Sequence, residues 1–148
     1  MIEKAAEKYC IPKVLFTSRK WRINGKNILA INIDISQTPP HKAPDQNGDY
    51  KVYIRTEDQN MLANGVQMKI WKKLNTISDV SFEYSDEAKA ILNIIGNFET
   101  ISLDKLLDQM ELSKYKTENI LAELIIMKVV KMSVNITSTS FSLMDPDC

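Results

Sequence analysis

WRINGKNILAINIDISQTPPHKAPDQNGDYKVYIRTEDQNMLANGVQMKIW, residues 21–71, is the stretch on which the reading of the whole chain turns. Its Asn24-Gly25 step predicts a β-hairpin, because both central positions of a type I′ turn need positive φ and this pair adopts it at least cost. The return run from Ile28 to Ile35 alternates: Leu29, Ile31, Ile33 and Ile35 share one face, while Asn32 and Asp34 take the other. Upstream, Val14 to Ile23 reads as the partner strand, with the basic pair Arg19-Lys20 set between Phe16 and Trp21. Downstream, Ser36 to Asp49 carries Pro39-Pro40, Pro44 and Asn47-Gly48 and is predicted to be a loop. Tyr50 to Arg55 returns to period two, with Tyr50, Val52 and Ile54 on one side and Lys51, Tyr53 and Arg55 on the other. From Gln59 the period becomes helical, through Leu62, Val66 and Ile70. Asp58 is the expected N-cap, and Gly65 is expected to cost this helix about 1 kcal/mol relative to alanine.

Outside this stretch, Ile2, Ala5, Ala6 and Tyr9 fall on one face of a short N-terminal helix that Pro12 stops. Such a helix cannot hold itself together alone in water and must pack on something. Residues 74–84 are polar and irregular. Beyond them, Ser85 caps a run through Ala88, Ile91, Leu92 and Ile95, which Asn97 to Thr100 break. Ser102 caps a second helix with Leu103, Leu106, Leu107 and Met110, and a tight turn at Glu111-Leu112-Ser113 leads into a third. Two β-like runs, Val129 to Ile136 and Ser140 to Met144, close the chain. Three helices followed by a hairpin is the winged-helix pattern, with the short turn that a helix-turn-helix requires. The expected fold is therefore α+β: a small, mostly antiparallel sheet with flanking helices, then a C-terminal winged helix-turn-helix. The expected division is 1–74, a linker over 75–84, and 85–148.

The composition, 44% apolar and 26% charged over 148 residues, is that of an ordinary globular chain. No apolar run approaches the roughly 18 residues of a membrane span. The first residues, MIEKAAEKYC, lack the apolar centre of a signal peptide. Cys10 and Cys148 suggest no disulfide framework, so a reducing cytoplasm is expected and the Asn135-Ile136-Thr137 sequon is read as chance. The net charge of zero conceals an asymmetry. Residues 1–79 hold 13 Lys/Arg against 8 Asp/Glu, whereas residues 80–148 hold 6 against 11. A basic first half is the footprint of a polyanion partner. The acidic second half argues against non-specific phosphate binding there, and offers a docking surface for the first half or for a second copy.

Catalytic, metal and cofactor sites are not expected. His41 is the only histidine, and no cysteine or acid is spaced to form a metal or nucleophile site with it. Four scattered glycines form no phosphate loop. The candidate nucleic-acid contacts are Arg19, Lys20, Arg22, Lys42, Lys51 and Arg55 on the sheet, where Arg suits bidentate phosphate contact and Lys point-charge contact. The alternative is a normally solvated sheet face, with Arg55 paired to Glu57 or Asp58. On the third helix, Ser113, Lys114, Lys116 and Asn119 fall in the turns that would enter a major groove. Two lysines beside Glu111, Glu118 and Glu123 are a thin supply of charge, and a winged helix that docks protein is the alternative.

Tyr-Cys-Ile-Pro at 9–12, Trp-Arg-Ile-Asn-Gly-Lys at 21–26, Ile-Leu-Ala-Ile-Asn-Ile at 28–33, Pro-His-Lys-Ala at 40–43, Val-Tyr-Ile-Arg at 52–55 and Asn-Met-Leu-Ala-Asn at 60–64 follow one another in an order that resembles the Schlafen/Alba-like DNA-binding domain of bacterial transcriptional regulators. With the trailing winged helix, the resemblance covers almost the whole chain. It implies a DNA-binding regulator, and the residues read above point to one that is not an enzyme. The chain matches the second half of that domain. The E-F-K-like strand and the glycine-rich strand with which the family's domain begins have no counterpart here, nor do the carboxylates of nuclease relatives. A sheet cut in this way is expected to leave an apolar face or bare edge, and hence a homodimer through the first module with helix 2–9 near the interface. The alternative function is a protein-interaction or dimerisation module, or a nucleotide-binding regulator fragment, without direct DNA contact.

Overall fold

The computed structural model describes residues 2–76 and 84–145. They form an α+β chain of five helices and small antiparallel sheets, dividing into two compact units after Tyr53.

The first unit opens with α1 (Ile2–Tyr9), none of whose residues is buried. The hairpin of β1 (Phe16–Ile23) and β2 (Lys26–Ile33) follows, in register from Ile23↔Lys26 to Phe16↔Ile33. Asn24 and Gly25 sit at φ 50 and 77, as the type I′ turn requires. The two strands form a sheet of their own. The expected loop contains a short strand, β3 (Lys42–Pro44), paired antiparallel with β4 (Tyr50–Thr56). Ile11 and Lys42 exchange backbone hydrogen bonds of 3.0 and 2.7 Å, which tie the segment after α1 to β3. Both ring nitrogens of His41 are engaged, Nδ1 with the Pro12 carbonyl and Nε2 with the Ser36 hydroxyl, each at 2.7 Å. His41 thus straps a loop. Val52 is the one buried apolar residue among those described in this unit.

The second unit begins within β4, turns at Glu57 (φ 53) into β5 (Gln59–Leu62), and enters α2 (Gly65–Thr76). The helix expected from Gln59 is therefore a strand for its first four residues. Asn64, not Asp58, starts the helix: its Oδ1 accepts from the Gln67 N–H, and Gln67 Oε1 accepts from the Asn64 N–H, both at 2.9 Å. This reciprocal pair satisfies two otherwise orphaned donors, which Asp58 cannot do from the far side of β5. Gly65 then falls in the first turn, and a Cβ there would overlap the Glu118 carboxylate. It is required by close approach instead of being a tolerated cost.

After α3 (Asp86–Gly96), the chain forms β6 (Ile101–Ser102), α4 (Leu103–Asp108), α5 (Lys114–Ile126), β7 (Val130–Val134) and β8 (Thr139–Leu143). Ser85, Ser102 and Ser113 cap α3, α4 and α5, each hydroxyl accepting from the backbone N–H three residues on. The sheet order is β6-β8-β7, with Phe141 on the central strand opposite both Ile101 and Met132. Ile91, Ile95, Ile101, Leu106, Leu121, Leu124, Val130 and Phe141 make one core, and Val66 of α2 is part of it. So α2 packs on α5 and belongs to the second unit, whereas the expected division placed it in the first module. Most of the expected linker, residues 77–83, lies outside the described residues.

Candidate nucleic-acid interface

The hairpin β1–β2 concentrates the chain's positive charge. Arg19, Lys20, Arg22 and Lys26 all lie on it, and no carboxylate occurs between Phe16 and Ile33. Up to Tyr53 the chain carries nine basic and five acidic residues, so the whole excess of the first unit sits on this ribbon. The register places Arg19 and Lys26 on the face of Trp21 and Ile28, and Lys20 and Arg22 on the face of Leu29 and Ile31. Every residue of β2 is exposed, and every residue of β1 after Phe16. None of the four cations is in an ion pair among the described residues. Arg19 lies 5.5 Å from the centre of the Trp21 ring. A two-stranded β-ribbon is one of the elements that a DNA major groove admits.

The expected basic residues do not share one sheet. Arg19 and Lys20 are on the ribbon, whereas Lys42, Lys51 and Arg55 are on β3 and β4 of a different sheet. The physical reason is that β4 finds its neighbour in β3, within the proline-rich segment, and not in the hairpin. Lys51 is bound to Asp45, whose carboxyl it holds below the usual aspartate range. Arg55 donates to the Glu57 carbonyl and to Asn60 Oδ1, both at 3.2 Å, and not to the carboxylates of Glu57 or Asp58. Lys42 remains exposed. Lys26, absent from the expected set, was recoverable as the residue directly following the Asn-Gly turn.

Helix α5 is closed along most of its length. Thr117, Glu118, Ile120, Leu121, Ala122 and Leu124 are buried. Lys69 of α2 donates to Glu118 at 2.9 Å with side chains only 14% and 7% exposed, and Lys73 donates to Glu123 at 2.7 Å. Of the expected contacts here, Ser113 is occupied as the cap and Asn119 is half-buried; Lys114, Tyr115 and Lys116 are exposed in the first turn, with Lys116 paired to Glu87. The hairpin tip between β7 and β8 carries no cation. Its Asn135 side chain instead accepts from the backbone of Thr137 and Ser138.

Lys116 bonds Glu87 at 2.6 Å. The hydrogen bond from Lys116, then those from the Glu87 backbone and Ser85, then the attraction of the ammonium, hold the Glu87 carboxyl below the ordinary 4.5. A depressed carboxylate contributes stability that is present above its unfolded value and lost as pH falls through the folded one. Carboxyl-detected NMR should therefore give Glu87 a midpoint below 4.5, returning toward it in Lys116→Ala; an unchanged midpoint in that variant would show the pairing to be negligible in solution. Compared with protein-family models, curated proteins and solved structures, the chain gives no match.

Proposed function

We propose that the chain is a DNA-binding transcriptional regulator without enzymatic activity, acting in the cytoplasm, and that its phosphate grip is the β1–β2 ribbon. The observation that carries this reading is a two-stranded ribbon exposed on both faces, bearing four cations and no carboxylate. The order helix, short strand, helix, helix, hairpin over 86–143 supports a winged helix as its companion. In this reading α5 adds contacts only through its first turn, at Lys114 and Lys116. The resemblance to Schlafen/Alba-like domains is in keeping with it.

A specific observation favours a second reading: α2 packs on α5, its Lys69 and Lys73 binding Glu118 and Glu123, which closes much of that helix as in a winged helix used for protein docking. Salt dependence of duplex affinity separates the two. Each neutralised phosphate contributes about −0.9 to the slope of log K against log salt. Replacing Arg19, Lys20, Arg22 and Lys26 together with alanine should flatten that slope by about 3–4 and weaken binding to every sequence alike. Lys114→Ala/Lys116→Ala should flatten it by less than about 2. A wild-type plot that is already flat overturns the DNA reading and leaves the docking one.

A further inference from the structure

The outer edge of the ribbon is open. Strand β2 gives one edge to β1 and, among the described residues, pairs with nothing on the other. The two-residue turn makes Ile23↔Lys26 a hydrogen-bonded pair. Even-numbered residues of β2 therefore turn their N–H and C=O toward β1, while Asn27, Leu29, Ile31 and Ile33 turn theirs outward. These are unpaired groups on an apolar strand, the arrangement that recruits another strand.

We propose that the occupant is a second copy of this chain, with β2 antiparallel to its counterpart across a two-fold axis at Ala30. This inference goes beyond the DNA reading and does not require it. The register follows from charge. With Ala30 opposite Ala30 of the second copy, Leu29 faces Ile31 and Ile28 faces Asn32. Lys26 faces Asp34 at both ends. Neither residue has an ion pair among the described residues; Asp34 receives only a 3.4 Å contact from Asn32. Moving the axis to Ile31 puts Lys26 opposite Ser36, and moving it to Leu29 puts Lys26 opposite Asn32; both forfeit two opposite-charge pairs. The Ala30 register also matches outward-facing residues with outward-facing residues, so Leu29 and Ile31 form proper hydrogen-bonded pairs.

The other edge is unsuited to self-pairing. Strand β1 carries Arg19, Lys20 and Arg22 within four residues, and two copies of it side by side would set like charges together. Pairing through β2 leaves both β1 strands outermost, where their charge is solvated. It also turns a two-stranded hairpin, marginal by itself, into a four-stranded sheet with Leu29, Ile31 and Ile33 at its centre. Those three are 41%, 45% and 64% exposed in the single chain. An edge contact is smaller than the roughly 800 Å² per partner of a standard interface, so a micromolar dimer is expected.

The test is a symmetric cross-link. Opposed residues of a non-hydrogen-bonded pair have Cα atoms about 4.5 Å apart, within disulfide reach. In a Cys10→Ser/Cys148→Ser background, Ala30→Cys should oxidise to a covalent dimer at micromolar concentration. Ile28→Cys and Asn32→Cys, each facing the other position, should not. By sedimentation the wild-type mass should rise with concentration from 16.9 kDa toward twice that. Lys26→Asp and Asp34→Lys should each shift the chain toward monomer, and the double swap should restore the dimer. Circular dichroism of the second unit serves as the folding control. A monomer at high micromolar concentration, a dimer that both single swaps leave intact, or cross-linking as efficient at 28 or 32 as at 30 would each overturn the proposal.

Discussion

Lys69→Ala is expected to cost the second unit about 3–5 kcal/mol, because it leaves the Glu118 carboxylate buried and without its cation. Glu118 is 5% exposed, and Lys69 is the cation that reaches it. The ammonium also lies 4.2 Å from the centre of the Tyr115 ring, a contact the same substitution removes. The carboxylate sits against Gly65 of α2, in the space that any Cβ there would take. For a unit of this size, each kcal/mol moves the melting midpoint by about 4–8 °C, so a fall of at least about 12 °C is predicted. Urea melts should show the loss in the midpoint with an unchanged slope. Adding Glu118→Gln should recover part of it, because the uncompensated charge is then gone. A loss below about 1 kcal/mol would place this pair with solvent-screened surface bridges and remove it as the clamp between α2 and α5.

Phe141→Ala should be comparably severe, at about 3–5 kcal/mol, through a different term. Phe141 is 1% exposed on the central strand of its sheet, flanked by Ile101 on β6 and Met132 on β7. Neighbours on both sides are held by their own strand pairing, so the cavity has little freedom to collapse. Removing the ring forfeits its transfer energy and leaves that cavity behind. Phe141→Leu keeps much of the volume and should cost clearly less. If alanine costs no more than leucine in chemical denaturation, the sheet closes over the gap and the core is softer than its burial indicates.

Where a signal was local, the sequence disclosed the structure. The Asn24-Gly25 turn defined the hairpin and its register, and Ser85 and Ser102 marked two helix starts, because each rests on a bond made within three residues. The strand at Gln59–Leu62 was missed for the opposite reason. Leu62, Val66 and Ile70 sit four apart and imitate a helical face, although the chain switches conformation between the first two. The reciprocal Asn64/Gln67 cap was present in the sequence and outweighed by that spacing. Strand β3 spans Lys42-Ala43-Pro44, too short to show alternation. The ladder of Lys69 and Lys73 against Glu118 and Glu123 joins residues some fifty positions apart, and nothing near either pair announces the other. Charge alone also could not tell that Arg19 and Lys20 lie on one sheet while Lys51 and Arg55 lie on another. Their sign was legible, but their grouping depended on which strands found each other.

Among the described residues, buried apolar side chains are distributed very unevenly, with Val52 standing alone in the first unit and a dozen gathered in the second. A substitution that ruins the ribbon therefore removes little of the free energy that keeps the chain folded, and the protein should accumulate in cells at normal levels. Screens that score abundance, solubility or protease resistance will record the ribbon as freely variable. Only selections that demand an output from the protein will reveal constraint there, so the positions most tolerant in one kind of experiment will be the least tolerant in the other.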